Sequence, residues 1–256
     1  MSDGSTPARL QNGKTVRSQY FGQSSFSKIS VVNEKCVVKC PFPQHMHIYA
    51  PLGCGFQTGA GTVLTVLNVL KPTPEDSIVI FGLGSVGIAA LMGAKYLKVG
   101  KIIAVDIVEE KLDLAKELGA THAVNSRETP NVAQTIKEIT RRGANFAVDC
   151  TGVVKVIEDM VEALGPEGTA ALVGVPPAGV KIGIDPLTFL LDNKKFIGVI
   201  EGGSNPPDFI PKLIQMHQVG HFPIDKLRRT YPVANLKDAI QDMHAAKVVR
   251  PIIDWS

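Results

Sequence analysis

From Ser77 onward the chain alternates short runs of β-branched and apolar residues with longer segments whose apolar positions recur at helical spacing. That alternation predicts a parallel sheet whose strands are joined by helices lying on both faces. Strands are expected over 78–81, 101–106, 122–125, 146–150, 170–174 and 196–200. Between them, 109–118 places Leu112, Ala115 and Leu118 on one helical face and stops at Gly119, a residue suited to a left-handed helix end. Val132, Ile136 and Ile139 repeat this before Gly143, and Val156, Met160, Val161 and Leu164 repeat it before Gly165. Nearer the C-terminus, 208–218 and 236–246 predict two more helices, the second with Asn235 as N-cap, and 248–253 predicts a closing strand. The first fifty residues differ: 29–32 and 37–39 predict short strands separated by glycine, serine and proline. The expected fold is therefore α/β, a doubly wound parallel sheet with a small β piece beside it.

Composition narrows the classes of function. The 256 residues are 45% apolar and 20% charged, enough for a sizeable buried core. The net charge of +3 is spread along the chain with no basic run, so nucleic acid is not an expected partner. Cys36, Cys40, Cys54 and Cys150 have neither CxxC spacing nor the density of a stapled secreted scaffold. They read as reduced thiols, and no apolar h-region opens the chain, so a cytoplasmic location is expected. The uncharged run 77–94 approaches the ~20 residues of a membrane span. Gly82, Gly84 and Gly87 interrupt it, which favours strand, tight turn and buried helix over a membrane segment.

Those three glycines form Gly82-Leu83-Gly84-Ser85-Val86-Gly87, a GxGxxG turn between an apolar strand and a helix. The first glycine permits the tight turn, the second admits a pyrophosphate against the backbone, and the third lets helix pack on strand. Asp106 ends the next strand, where a carboxylate bonds a ribose 2′-hydroxyl and repels a 2′-phosphate, favouring NAD over NADP. Lys111 reads equally as a cover for that ribose or as a solvated helix lysine.

A longer series of motifs runs from about residue 17 to the C-terminus: FGQSSFS (21–27), APLGCGFQTGAGTVL (50–64), FGLGSVG (81–87), AVDI (104–107), KELGATHAVN (116–125), VGVPP (173–177) and EGGSNPPDFIPKLI (201–214). In these the sequence resembles the medium-chain, zinc-type alcohol dehydrogenases, and most of all their aryl-alcohol branch. The resemblance implies three parts: 1–50 as part of a GroES-like catalytic domain, 51–228 as a Rossmann NAD-binding domain, and 229–256 as a segment returning to the catalytic side. It places Cys54 at one of three protein ligands of the family's catalytic zinc and Thr58 against the nicotinamide. Val173, Val175 and Ile200 would read the carboxamide through their backbones, and Arg250 would face the pyrophosphate. It also implies a homodimer joined through the edge strand near 196–200.

The upstream cysteine ligand, the Gly-His-Glu segment and the four-cysteine structural zinc lobe of that family have no counterpart in this sequence, so a truncated, zinc-free member is expected. His45 and His47 alternate onto one side of what reads as an extended segment before Cys54, but match no known zinc spacing. The acid that would replace zinc is sought among Cys54, His45, His47, Tyr49 and Glu201, with Cys54, His47 and Glu201 foremost. The resemblance implies a dehydrogenase or reductase acting on an apolar or aromatic alcohol or aldehyde, or on an activated C=C bond. Two alternatives remain at this point: a redox-neutral isomerase, dehydratase or cyclase using the same cleft, and a non-catalytic NAD-binding remnant.

Overall fold

The computed structural model describes residues 9–15 and 26–256. Six parallel strands make the central sheet: β1 (Ser77–Phe81), β2 (Lys101–Asp106), β3 (His122–Asn125), β4 (Ala144–Asp149), β5 (Leu164–Leu172) and β6 (Lys195–Gly198), in the order β3-β2-β1-β4-β5-β6. Nine helices accompany it among the described residues: α1 (Met46–Tyr49), α2 (Gly55–Gly61), α3 (Ser85–Tyr96), α4 (Glu109–Leu118), α5 (Val132–Thr140), α6 (Val154–Glu162), α7 (Pro186–Leu191), α8 (Pro206–Gln218) and α9 (Leu236–His244). Every residue of β1 is buried, as a strand covered on both faces must be. Ile78 and Ile80 enter one core with Leu64, Leu91 and Leu213, while Val79 and Phe81 enter the other with Ile136, Ile157 and Met160. The two-residue period of a strand thus feeds two separate cores and makes the sheet doubly wound.

Strand order reverses beside β1, whose neighbours are β2 and β4. At such a reversal the loops leaving adjacent strands diverge and open a cleft beyond their carboxyl ends. β1 runs into α3 through Gly82 and Gly84, and a Cβ at Gly87 would sit 1.8 Å from the Gly82 carbonyl oxygen, so the helix rests directly on the turn.

Gly119 ends α4 with φ 124°, donating to the Ala115 and Lys116 carbonyls, as the sequence predicts. The other two glycine stops differ. Left-handed Arg141 closes α5, two residues before Gly143, and α6 ends at Ala163 in helical conformation. Gly165 belongs to β5, which starts well before the expected 170 and carries a register shift between Ala144 and Phe146. A Cβ on Gly143 would meet the Gly165 amide nitrogen at 2.4 Å, so both glycines mark a close strand approach.

The expected strands at 29–32 and 37–39 do not form. Residues 26–50 make 3-10 turns at Glu34–Cys36 and Pro43–His45 and then α1, with Ile29 85% and Val31 94% exposed. β propensity needs a ladder partner, and the strands of the described residues pair elsewhere, leaving only an isolated bridge between Arg9 and Thr15 in the N-terminal part. Much of the FGQSSFS motif lies outside the described residues. At the other end, β7 (Arg228–Pro232) and β8 (Arg250–Asp254) pair as a separate parallel two-stranded sheet with α9 between them in sequence. Asn235 closes a 3-10 turn and occupies the expected N-cap position of α9, but its side chain makes no capping hydrogen bond there. The run 77–94 is strand, turn and helix, and no helix of the described residues is long and apolar enough to cross a membrane.

Candidate active site

The glycine turn and Asp106 are physically joined. Asp106, nearly buried at the end of β2, accepts the Leu83 amide on Oδ2 at 2.6 Å and the Ile107 and Val108 amides on Oδ1 at 2.8 and 3.1 Å. Lys111 Nζ stands 3.8 Å from Oδ2. A carboxylate has about four acceptor positions, so three amides leave capacity for a ribose hydroxyl. Gly82 has φ 86°, a conformation that favours glycine, whereas a Cβ at Gly84 would meet nothing within 4 Å. Space therefore stands open over Gly84, the N-cap of α3, which carries no side-chain cap on its first amides. A cavity of about 570 Å³ continues from there, lined by Gly82, Gly84, Asp106, Lys111, Ser126 and Thr151 among others. Open backbone, helix amides without a side-chain cap and a strand-end carboxylate with acceptor capacity to spare fit a dinucleotide.

A second strand-end carboxylate, missed in the sequence, ties the cleft's walls together. Asp149 is fully buried at the end of β4, with Oδ1 accepting the Thr151 amide (2.9 Å) and hydroxyl (2.6 Å) and Oδ2 accepting the Gly152 amide (3.0 Å). Its carbonyl accepts the amides of Val173 and Gly174. One residue thus fixes both the turn after β4 and the segment after β5. The signal was present: Ala104-Val105-Asp106 and Ala147-Val148-Asp149 repeat one tripeptide at two strand ends. Val173 is half-buried beyond β5, and Val175 and Ile200 are exposed; Ile200 lies past the end of β6, in extended conformation before a tight turn.

α2 brings the remaining candidates to this cleft. A Cβ at Gly55 would lie 2.6 Å from Ser85 Oγ, so the start of α2 abuts the start of α3 beside the glycine turn. Thr58 Oγ1 donates to Glu201 Oε2 at 3.4 Å, and Gln57 Nε2 donates to the same oxygen at 3.1 Å. Glu201, Gly202 and Gly203 all have positive φ, and a Cβ at Gly202 would lie 2.6 Å from the Gln57 carbonyl. Cys54 precedes α2 with its side chain open to solvent on one side. Partial burial raises its thiol pKa, the Glu201 carboxylate raises it further, and the Arg250 guanidinium opposes both. The thiol is consequently held protonated.

The histidines occupy a different setting from the one expected. Pro43–His45 is a 3-10 turn and His47 lies in α1, so the segment is not extended. The His45 ring is 6.1 Å from that of His47 and 6.4 Å from that of Tyr49, which in turn meets His217 at 5.6 Å. Tyr49 is buried, and burial followed by the nearby Cys40 raises its hydroxyl pKa. Among the described residues no three histidines, cysteines or carboxylates gather closely enough to share a metal ion. Those donors, as the described residues place them, do not fit a zinc centre.

Comparison with known proteins agrees with this geometry. Residues 85–218, just over half of the chain, match the family described as zinc-binding dehydrogenase. The sequence is 32% identical over 241 residues to a geraniol dehydrogenase of Castellaniella defragrans, covering 94% of this chain and 64% of that protein. A crystal structure of an alcohol dehydrogenase zinc-binding domain protein from Burkholderia ambifaria superposes with a TM-score of 0.91 at 39% identity, over 100% of this chain and 68% of the other. Benzyl alcohol dehydrogenase from Acinetobacter calcoaceticus gives 0.87 at 41% identity, over 93% and 64%. The fold and the cleft define a Rossmann-type dinucleotide-binding protein. The chain belongs to the zinc-binding, medium-chain alcohol dehydrogenase family, for which NAD is the expected cofactor, and it spans 64–68% of the length of these relatives.

Proposed function

We propose that the chain acts as an NAD(H)-dependent oxidoreductase of the medium-chain type on an apolar or aromatic alcohol or aldehyde, or on an activated C=C bond, without a zinc held by its described residues. The observation that carries this is the contact of α2 with the phosphate turn, which sets Cys54, Thr58 and Glu201 beside the cofactor cleft. Gly82, Gly84 and Gly87 shape the pyrophosphate turn, Asp106 with Lys111 holds the adenosine ribose, and Val173, Val175 and Ile200 border the carboxamide. Arg250 lies close enough to Cys54 to act on its ionisation and is assigned to the pyrophosphate side.

Bound nicotinamide supplies a hydride acceptor or donor. The chain supplies the proton chemistry: Glu201 takes the substrate hydroxyl proton, Thr58 orients the carboxylate, and neutral Cys54 offers a weak donor to the carbonyl oxygen. The similarity to geraniol and benzyl alcohol dehydrogenases supports an apolar substrate. Four free thiols support a cytoplasmic setting. A β6 edge without a strand partner among the described residues, beside exposed Leu187, Leu190 and Leu191, supports a homodimer.

The test is calorimetric titration with NAD and NADP, followed by assay at 340 nm with aromatic and terpenoid alcohols and aldehydes. Tight NAD binding with turnover is expected, and Glu201→Gln should lower kcat roughly 10²-fold or more. NAD binding without absorbance change, accompanied by substrate conversion, would replace this reading with redox-neutral chemistry. Failure to bind either cofactor would remove it.

A further inference from the structure

The Glu201 carboxylate is held by a side chain that the proton chemistry above does not use. Gln57, 3% exposed on α2, directs its amide nitrogen at Glu201 Oε2 (3.1 Å) and at the Gly53 carbonyl (3.4 Å). An ionised carboxylate and a carbonyl can only accept, so the nitrogen must face both. Turned over, the amide would set its own oxygen against two acceptors. The orientation leaves a mark at the other end of the amide: Gln57 Oε1 is buried and has no hydrogen-bond partner among the described residues. Buried polar atoms in that condition are few in folded proteins and cost stability.

The same asymmetry runs through Glu201. Its Oε2 receives both Gln57 and Thr58, while its Oε1 receives no protein hydrogen bond among the described residues. Its backbone sits at φ 48°, followed by Gly202 and Gly203 at 69° and 56°. A non-glycine residue keeps that conformation only where its surroundings over-determine it. Here Gly202 is wedged against the carbonyls of Gln57 and Thr58 and the Cα of Gly61. Backbone and side chain of residue 201 are therefore both fixed to α2, and one carboxylate oxygen is left for other work. The Cys54 thiol lies close enough to feel both the Glu201 carboxylate and the Arg250 guanidinium.

We propose that Gln57 is a positioning residue: it pins Glu201 Oε2 as an acceptor and reserves Glu201 Oε1 to receive the substrate hydroxyl proton. The inference rests on the reading of Glu201 given above. In alcohol oxidation Glu201 Oε1 would take the substrate hydroxyl proton while the O–H electron pair closes the carbonyl, and nicotinamide, when bound, would supply the acceptor for the hydride lost from the adjacent carbon. Gln57 touches no reacting atom in this step.

The test follows the carboxyl ¹³C resonances of protein labelled at the glutamate side-chain carboxyl, with Glu201→Gln identifying the relevant signal. In Gln57→Met, similar in length but without the amide, the Glu201 carboxyl resonance should move at fixed pH, because the hydrogen bond on Oε2 is lost. A merely structural Gln57 would lower Tm and leave that resonance in place, which overturns the proposal. If Gln57→Met does not fold, the side-chain amide protons of Gln57 in otherwise wild-type protein decide: they should move in Glu201→Gln, and unmoved signals overturn the clamp. Full kcat in Glu201→Gln would remove the proton-accepting role, while the spectra separately report whether the clamp exists.

Discussion

Asp106 Oδ2 accepts the Leu83 amide at 2.6 Å, so the carboxylate proposed to read a ribose also holds the glycine turn proposed to receive the pyrophosphate. One substitution should therefore disturb both functions. Asp106→Asn removes the charge and turns one acceptor oxygen into a donor, against three backbone amides. NAD affinity should fall at least about tenfold, the loss expected when a hydrogen bond to a charged group worth ~1.5–3 kcal/mol is removed. NADP binding should fall less, narrowing the ratio between the two. Calorimetry with both cofactors measures this, and an unchanged ratio would detach Asp106 from ribose recognition.

Gly84 and Gly87 lie three residues apart and should respond differently to alanine. At Gly87 the new methyl would sit 1.8 Å from the Gly82 carbonyl oxygen, so α3 must lift off the turn. Overpacking of this kind costs about 1–3 kcal/mol or more, and thermal unfolding should show a clear drop in Tm. At Gly84 a Cβ meets no protein atom within 4 Å, so Gly84→Ala should keep the wild-type Tm while losing NAD affinity. Equal NAD affinity in Gly84→Ala would place the pyrophosphate elsewhere.

Most of this cleft can be read from the sequence because its parts are local. A strand, three glycines and an acid at the next strand end sit in one short stretch, and each residue type has its own physical reason. The β2 and β3 bounds and α4 with Gly119 emerge intact for the same reason. What fails is what depends on distant partners. The strands expected at 29–32 and 37–39 have apolar β-branched residues but no ladder to join among the described residues. Gly165 looks like a helix stop and is a close approach between strands. His47 appears extended from its spacing and is helical. The Gln57–Glu201 pair spans 144 positions, beyond any local pattern.

Cys54 offers a pH test with a defined sign. Its thiol is raised first by partial burial and then by Glu201, and lowered by Arg250. Site-resolved alkylation of Cys54 should accelerate only at more alkaline pH than an ordinary thiol, whose pKa is about 8.5. Glu201→Gln should move that midpoint down, and Arg250→Gln should move it up. Because the folded state holds the proton more tightly than the unfolded chain, Cys54 favours the folded state below the unfolded thiol pKa. That contribution disappears as pH rises through the folded value. A midpoint unaffected by Glu201→Gln would separate the two side chains.

Metal content provides a fourth test. A catalytic zinc takes about three protein ligands, and the described residues supply Cys54 with its thiol biased toward the protonated form, although thiolate is the ligating species. Protein dialysed against buffer of low metal content should carry well under one zinc per chain by elemental analysis. One tightly held zinc, lost in Cys54→Ser, would restore metal-assisted alcohol oxidation of the ordinary family kind.

Assembly is the last expectation. β6 has a partner only on its β5 side among the described residues, and its outer edge exposes unpaired backbone groups. Immediately before it, α7 presents Leu187, Leu190 and Leu191 at 61%, 74% and 74% exposure. An open strand edge beside an apolar helix face invites association unless something covers both. β7 and β8 pair with each other in a separate sheet and leave that edge uncovered. A second copy related by a twofold axis would pair β6 with β6 antiparallel, continue the sheet across the interface and bury the leucines against their counterparts. Sedimentation at low micromolar concentration should show a dimer of the 27.4 kDa chain. Leu190→Asp with Leu191→Asp should shift it toward monomer, since each buried leucine lost removes about 1.5–3 kcal/mol of apolar burial and adds a charge. A wild-type monomer at that concentration would defeat the proposal.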